Sequence, residues 1–452
     1  MKKEFMLYGY SSNTDGTWYY GDYMFDQGVD FRTVEKYKEY LDCGLNTLML
    51  QGNDPYLGED WETSQTKKNM DNAYTAGIQK VVLFDKRIYD YSTVKGGIVG
   101  EGKAFETQEQ LEDFIADCIK DYRTHPAYYG FMLIDEPSWE CFKSIAQIME
   151  ATRVVSPETY VQCNLLPLYN GMMKLHSEGG ENMTPHEAFG NYIRTYLEMT
   201  GSSYVKYDSY PMRAQIDEGF FILRYHLPGL QISLDICKEM NREFGLVMQA
   251  QAYYTNHKLR FRKPEEADMR WQMNCALAFG IKVMAYFTYW RKQRNDVADY
   301  VVDNTSFCTQ DGRKTQLYYD VQKIHKELNE IAEYLLGCRY ENSSYYTDMS
   351  TAEPHVQDMQ KRDFSCLLDL ETSENATLVV TKLKHQPPGE TVVCIFNAND
   401  PKGTYPTPTT IKATFKGKLL RAFSLKDPKG QTVKDECITL NAGDSMFFVI
   451  DE

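Results

Sequence analysis

The chain has 452 residues, of which 42% are hydrophobic and 25% are charged, a balance typical of a soluble globular protein large enough for two domains. Its formal net charge of -15 disfavours binding to a nucleic-acid backbone, so we predict no nucleic-acid partner. No stretch approaches the ~20 consecutive apolar residues of a membrane span, so we predict no membrane insertion.

Cysteine and histidine usage gives a further set of predictions. Eleven cysteines lie between Cys43 and Cys437 without a Cys-x-x-Cys pair, which predicts free thiols and a cytoplasmic location. The eight histidines are dispersed, and no spacing matches a zinc site. We therefore expect no metal and no cofactor.

Strand-like segments alternate with amphipathic helices over the first 300 residues or so. The predicted strands cover residues 4–11, 45–51, 78–85, 127–136, 160–166, 203–208, 246–251 and 281–289. The predicted helices cover residues 30–43, 67–76, 139–155, 235–244, 265–279 and 315–336, with two more after the N-caps Thr107 and Thr184. Eight such strands predict an α/β fold, a (β/α)₈ TIM barrel with its site at the C-terminal strand ends.

An open doubly wound sheet is the alternative to the barrel. We favour the barrel because no Gly-x-Gly-x-x-Gly turn and no Gly-x-x-x-x-Gly-Lys loop follows a strand. Beyond Cys338, short alternating segments separated by Pro- and Gly-containing turns predict a smaller C-terminal antiparallel β-sandwich domain. We place the barrel in residues 1–338 and the β-sandwich in residues 339–452, and we expect no rim residue from the second domain.

The fourth predicted strand ends on two adjacent carboxylates. An apolar run leads into Asp135 and Glu136, and Pro137 follows. Because side chains alternate along a strand, we expect one acid to point into the barrel and the other toward neighbouring packing or the next loop. The alternative is that this segment only begins a helix, with Ser138 as its N-cap.

Other predicted strand ends bring carboxylates, amides and aromatic rings to the same rim. Carboxylates and amides hydrogen-bond sugar hydroxyls, and aromatic rings stack on sugar C–H faces, so we predict a carbohydrate substrate. The candidate catalytic groups are Glu136, Asp208 and Asp135, and the candidate substrate-binding groups are Gln51, Asp85, Asn164, Tyr210, Gln249, Gln251, Tyr253, Tyr289 and Trp290. The alternatives are an ion pair for Asp85, core packing for Tyr289 and Trp290, and backbone contacts for the glutamines.

The segment from Phe131 to Ser138 resembles the fourth-strand Asn-Glu-Pro signature of the clan A glycoside hydrolase barrels, with Asp135 in place of Asn. The segments 271–280 and 286–290 are similar to the end of a barrel of the family 42 β-galactosidase type. The resemblance implies a glycoside hydrolase that removes a terminal sugar, with Glu136 as the general acid. The chain departs from clan A at strand seven, where Gln249 and Gln251 stand in place of the nucleophilic glutamate.

An adjacent Asp-Glu pair also resembles the hexosaminidases of families 20 and 123. That resemblance implies that Asp135 orients a substrate 2-acetamido group while Glu136 protonates the leaving oxygen. In a third scheme Asp208 activates water, and inversion of this kind needs carboxyl groups roughly 6.5–9.5 Å apart, against about 5–5.5 Å for a retaining pair. We favour Glu136 working with Asp208 on a 2-hydroxy sugar.

Two other classes of function stay open. The absent strand-seven glutamate is also compatible with a catalytically silent carbohydrate-binding barrel. A barrel lyase or isomerase could use the same carboxylates. The sequence fits a homo-oligomer as well as a monomer.

Overall fold

The computed structural model of the chain describes residues 4–10, 17–20, 23–26, 28–50, 55–169, 172–214, 221–255, 258–290, 306–309, 311–346, 364–372, 376–387, 389–403, 408–430 and 437–451. Among the helices in these ranges, none has the length and apolar content needed to cross a bilayer. All eleven cysteines are free thiols, as predicted, and ten of them are buried.

The described strands fall into an N-terminal set and a C-terminal set. The first set is β1 (Met6–Gly9), β2 (Thr17–Tyr20), β3 (Tyr23–Asp26), β4 (Leu48–Met49), β5 (Val81–Phe84), β6 (Tyr128–Asp135), β7 (Tyr160–Asn164), β8 (Tyr204–Asp208), β9 (Glu243–Gln249), β10 (Tyr253–Thr255), β11 (Lys258–Phe261) and β12 (Val283–Phe287). The second is β13 (Cys338–Tyr346), β14 (Leu367–Thr372), β15 (Leu378–His385), β16 (Thr391–Asn397), β17 (Thr409–Phe415), β18 (Lys418–Phe423), β19 (Cys437–Leu440) and β20 (Ser445–Asp451).

Ten α-helices lie in the described ranges, nearly all of them among the strands of the first set. They are α1 (Val34–Asp42), α2 (Gln65–Ala76), α3 (Lys86–Ser92), α4 (Gln108–Ile119), α5 (Phe142–Val155), α6 (Met172–His176), α7 (Pro185–Thr200), α8 (Leu227–Glu239), α9 (Glu266–Ala278) and α10 (Gln316–Gly337). Thr107 with Gln110 and Thr184 with Glu187 form the predicted capping boxes at the starts of α4 and α7.

The eight predicted strands form two parallel four-stranded sheets. One has the order β1-β12-β9-β8 and the other β4-β5-β6-β7. Next to the edge strands β1 and β4, the backbone N–H of Asn46 donates to Leu7 O at 2.9 Å. Next to the edge strands β7 and β8, the N–H of Leu165 donates to Lys206 O at 2.8 Å. Hydrogen bonds therefore link the two sheets at both of their edges.

One predicted helix is wrong at both of its ends. The sequence suggested residues 235–244, whereas α8 begins at Leu227, directly after a π-helical turn at Ile222–His226, and Phe244 already lies in β9. Proline is tolerated in a first helical turn, so Pro228 does not break α8. A Cβ at Gly229 would lie 3.3 Å from the Tyr207 hydroxyl, so the glycine allows the helix to pack closely on β8.

The strands after Cys338 are antiparallel and form two sheets of order β13-β15-β16-β20-β18 and β14-β17-β19. A hydrophobic cluster fills the space between them, with Ile395 and Phe448 from the larger sheet and Ile411 and Ile438 from the smaller. The larger sheet turns its other face to the N-terminal helices. Phe396 of that face packs on Trp271 of α9 with ring centroids 5.3 Å apart.

Polar contacts reinforce this packing against α9. The Asn274 side-chain amide donates to Gly443 O at 2.7 Å, and the Ser445 hydroxyl donates to Asn274 Oδ1 at 2.9 Å. Arg262 bridges Asp268 and Asp400 with a buried ion-pair triad. Hydrogen bonds and ion pairs therefore join α9 to the C-terminal segment.

Candidate active site

A cavity of about 400 Å³ opens at the C-terminal ends of the parallel strands. Eight of the residues predicted from the sequence line it, namely Asp135, Glu136, Asn164, Asp208, Tyr210, Gln249, Gln251 and Tyr253. In the described part of the chain, every lining residue precedes Thr288, so the C-terminal sheets contribute none.

Asp135 and Glu136 both face the cavity, which corrects the expectation that they diverge. Strand β6 ends at Asp135, so the alternation of side chains stops there. Glu136 has a φ of 45°, in the left-handed region, which costs a non-glycine residue about 1–3 kcal/mol. Its N–H donates to Asn164 O at 2.7 Å and holds this conformation. The turn therefore brings the second carboxyl group back beside the first.

Asn164 connects the acids of two neighbouring strands. Its side-chain amide donates to Asp135 Oδ1 at 2.9 Å and to Asp208 Oδ1 at 3.0 Å. The parallel register makes this possible, since Asp135 and Asn164 are direct partners on β6 and β7. The other amide atom, Asn164 Oδ1, is buried without a hydrogen-bond partner among the described residues. Both amide protons are therefore used to hold the carboxylates.

The Glu136 and Asp208 carboxyl groups lie close enough for each to influence the pKa of the other. Burial, followed by the charges of Asp208 and Asp135, raises the pKa of Glu136 to about 8. Burial and the charge of Asp135 raise the pKa of Asp208 to about 6, although the Asn164 amide opposes this change. Near neutral pH the pair therefore holds one proton, and Glu136 carries it.

Asp135 and Glu136 are open to solvent on the cavity side, while Asp208 is only 6% exposed. Burial in the surrounding protein raises the pKa of Asp135, and the Asn164 hydrogen bond and the charge of Lys206 lower it. Water in the cavity screens the two open groups, so their desolvation is partial. The chemical groups available to a ligand are thus one protonated acid and two carboxylates.

The end of β9 differs from the end of β6 because its amide groups are already bonded. Gln249 accepts a hydrogen bond from the N–H of Met212 at 3.0 Å and donates to Arg262 O at 2.9 Å. Gln251 accepts a hydrogen bond from the Thr288 hydroxyl at 3.0 Å. Gln249 lines the cavity, as predicted, and its side chain also holds the backbone of the cavity wall, so its role in binding a substrate stays a prediction.

Aromatic rings form part of the cavity wall. Tyr210 stacks on Phe287 with centroids 5.7 Å apart, and Tyr253 packs edge-on against Phe261 at 5.8 Å. Tyr10 also lines the cavity. Tyr10, Phe261 and Phe287 were not among the predicted site residues. Tyr10 lies at the end of the first strand-like segment, which is the sequence signal that could have identified it.

Three other predicted binding residues point elsewhere. Asp85 is fully buried and pairs with Arg87 at 2.7 Å, and it also accepts a hydrogen bond from the Tyr122 hydroxyl at 3.1 Å. Tyr289 and Trp290 are 1% and 2% exposed and pack around Phe31. Their expected contact with a sugar is therefore wrong, because neighbouring side chains cover all three. Gln51 lies outside the described residues.

Lys206 is a polar residue beneath the cavity that we did not predict. It is 1% exposed and lies two residues before Asp208 on β8. Because side chains two apart point to the same face of a strand, this spacing could have indicated an inward lysine next to an inward acid. In the described ranges, no group of three or more His, Cys, Asp or Glu side chains could hold a metal ion.

No family model matches the chain, and no curated protein matches it. Among solved structures it is similar to a β-galactosidase from the psychrophilic Marinomonas ef1, at 12% identity and a TM-score of 0.44, over 67% of this chain and 58% of that one. It is also similar to a β-glucuronidase of an uncultured Clostridium sp., at 13% identity and a TM-score of 0.44, over 72% of this chain and 51% of the other. A Ruminococcus gnavus β-glucuronidase matches at 10% identity and a TM-score of 0.40, over 65% and 46%.

The chain therefore spans about half the length of these three structures.

Proposed function

We propose that the chain is a glycoside hydrolase that removes a terminal sugar from an oligosaccharide or glycoside, with Glu136 as the general acid. The observation that carries this proposal is the cavity itself, in which Glu136, Asp208 and Asp135 lie together beside aromatic side chains. Glycoside hydrolysis needs one carboxylic acid that is protonated at working pH and one carboxylate beside the anomeric carbon. The raised pKa of Glu136, at about 8, fits the first role.

The reaction divides into two transfers. The Glu136 proton passes to the glycosidic oxygen as the C–O bond breaks, and the leaving group, which is the rest of the substrate, departs as an alcohol. The Asp208 carboxylate bonds to the anomeric carbon, and the ionised Glu136 then takes a proton from the water that hydrolyses this intermediate. Asp135 and Asn164 hold Asp208 and the substrate hydroxyls in place.

The closeness of the two carboxyl groups favours retention over inversion. Each of the two carboxyl groups changes the pKa of the other, as expected of groups closer together than the about 6.5–9.5 Å that an inverting pair needs to hold a water between them. The geometry therefore supports a retaining scheme, in contrast to the inverting scheme that we preferred from the sequence. The described end of β9 supplies no carboxylate, so Asp208 on β8 takes the position of nucleophile.

The proposal includes the architecture that carries the site. We propose that the two parallel sheets form one eight-stranded (β/α)₈ barrel, closed through the edge hydrogen bonds at Leu7 and Leu165. We also propose that the chain divides near residue 338 into this barrel and a β-sandwich domain. The single hydrophobic cluster shared by the two C-terminal sheets supports that boundary.

A screen of aryl glycosides and oligosaccharides tests the proposed activity, with the isosteric Glu136→Gln variant as the control. We expect turnover by the wild type, loss of oligosaccharide turnover in the variant, and a product whose anomer matches the substrate by NMR. Sugar binding without turnover would instead support a silent carbohydrate-binding barrel, and an unsaturated or isomerised product would support a lyase or isomerase. Either result would overturn the proposal.

A further inference from the structure

Lys206 is a buried cation beneath the three carboxyl groups of the cavity. Its ammonium group donates to the Tyr8 hydroxyl at 2.8 Å and to the Tyr10 hydroxyl at 3.0 Å. It also lies 5.4 and 5.5 Å from the centroids of the same two rings. Among the described residues, no carboxylate forms an ion pair with it in direct contact.

A lysine in this position carries an energetic cost that its contacts only partly offset. Burial of an ammonium group disfavours its charged form, and cation–π contacts with the two tyrosine rings offset only part of that cost. Burial accordingly lowers the pKa of Lys206 to about 7, although the charges of Asp135 and Asp208 favour the protonated form. Packing alone would be served better by an apolar side chain of the same length.

The groups that face Lys206 come from four strands. They are Tyr8 on β1, Tyr10 just after the end of β1, Asp135 on β6, Cys163 on β7 and Asp208 on its own strand β8. Burial raises the pKa of both phenols and of the thiol, so these three groups are neutral near pH 7. The two aspartates are therefore the charged groups through which Lys206 can act.

The charge balance of the cavity requires such a cation. With Glu136 protonated, Asp135 and Asp208 place two negative charges around the same Asn164 amide nitrogen. Two carboxylates held this close disfavour each other's ionisation, and one of them would hold a proton unless a positive charge were near. The position of Lys206 two residues from Asp208 supplies this charge from below, without occupying the cavity.

We propose that Lys206 is a positioning residue that keeps Asp135 and Asp208 ionised beside a protonated Glu136. It acts through Tyr10 and through the electric field at the cavity floor, and it does not touch the substrate. Tyr10, which lines the cavity, is held by the same ammonium group. This inference rests on the proposed function, because it assigns the ionisation states that a retaining glycosidase needs.

The test compares Lys206→Met with the wild type in the pH dependence of kcat/KM. Loss of the positive charge should move the acidic limb, which reports Asp208, upward by about one pH unit and reduce the rate at pH 6 about fivefold. The alkaline limb, which reports Glu136, should stay in place, because Glu136 does not depend directly on Lys206. The melting temperature should equal or exceed that of the wild type, because the substitution removes a buried charge.

Lys80→Met is the matched control. The Lys80 ammonium group also lies over a tyrosine ring, 5.6 Å from the centroid of Tyr129, but it pairs with Glu4 and lies outside the cavity. This variant should keep the wild-type pH profile. Tyr8→Phe, which removes one acceptor of Lys206 and keeps the ring, should shift the acidic limb in the same direction by a smaller amount.

A carboxyl ¹³C NMR titration of labelled aspartate measures the same ionisations without substrate. Upward shifts of two aspartate pKa values in Lys206→Met support the role of Lys206 even if no glycoside is turned over. The titration can therefore succeed or fail independently of the proposed glycosidase activity. Unchanged aspartate pKa values and an unchanged acidic limb would overturn the inference. Lower activity with a lower melting temperature and no pH shift would also overturn it, because a purely structural role gives that result.

Discussion

The ends of β6 and β9 lie on the same cavity and carry polar residues of similar size, yet they differ in what their side chains already bind. At the end of β6, Asp135 accepts one hydrogen bond from the Asn164 amide, and both Asp135 and Glu136 remain open to the cavity. At the end of β9, Gln249 gives its oxygen and its amide protons to backbone groups. The comparison shows that a strand-end position makes a residue a candidate, and that unused hydrogen-bonding capacity distinguishes a reactive group from a structural one.

The largest difference in activity is expected between a variant of Asp208, an acid that lines the cavity, and a variant of Asp85, an acid that forms a buried ion pair. Asp208→Asn should reduce kcat by about 10²–10⁴-fold with little change in KM or in melting temperature, because it removes a positioned catalytic group. Asp85→Asn should keep the kcat of the folded protein and lose about 1–3 kcal/mol of stability, because it weakens the buried ion pair with Arg87. Steady-state kinetics and denaturant unfolding separate the two effects. A similar loss of kcat in both variants would remove the distinction.

Gln249→Glu tests whether the end of β9, where the side-chain amide is fully hydrogen-bonded, can be made catalytically active. The substitution replaces an amide donor with a carboxylate that faces the carbonyl oxygens of Met212, Gln251 and Arg262, and it should cost about 3 kcal/mol in the free energy of unfolding. We expect no gain in turnover. Glu243→Gln, at the exposed start of the same strand, should change stability by less than about 0.5 kcal/mol. Higher turnover in Gln249→Glu would show that the strand end is catalytically competent.

The raised pKa of Glu136 also predicts a pH-dependent change in stability. The folded state binds this proton between about pH 4 and pH 8, where the unfolded chain has released it, so the stability of the wild type falls as the pH rises through that range. Glu136→Gln should therefore be more stable than the wild type at pH 8 by about 1 kcal/mol, after allowance for solvent in the cavity, and should show no gain below pH 4. Thermal unfolding at the two pH values measures the difference.

The control for this effect is the exposed residue Glu140. Its carboxylate pairs with Lys95, which lowers its pKa, so Glu140→Gln should bring no gain in stability at pH 8. A gain in both variants would show that the general charge of the surface, and not the cavity, causes the effect.

Local signals in the sequence were sufficient for much of the fold. The capping residues Thr107 and Thr184 begin α4 and α7 as predicted, and the fourth predicted strand corresponds to β6 within one residue at each end. The start of α8 was missed because Pro228 and Gly229 are typical turn residues. Their tolerance in the helix depends on the contact with Tyr207, which the sequence does not reveal.

The site was predictable as a set of strand ends but not as a geometry. Asp135, Glu136, Asn164 and Asp208 follow from strand boundaries, and the structure brings all four to one cavity. The positive φ of Glu136 and the burial of Tyr289 and Trp290 depend on tertiary contacts, so alternation and residue type mispredicted them. Lys206 was missed because an isolated lysine in a short strand suggests a solvent-exposed position.

The most direct test of Glu136 as the general acid uses glycosides that differ only in their leaving groups. In Glu136→Gln, we predict that kcat/KM falls about 10²–10⁴-fold for a sugar or alkyl leaving group, which needs protonation, and changes little for a dinitrophenyl leaving group, which does not. An equal loss for both leaving groups, or wild-type rates for both, would contradict the account.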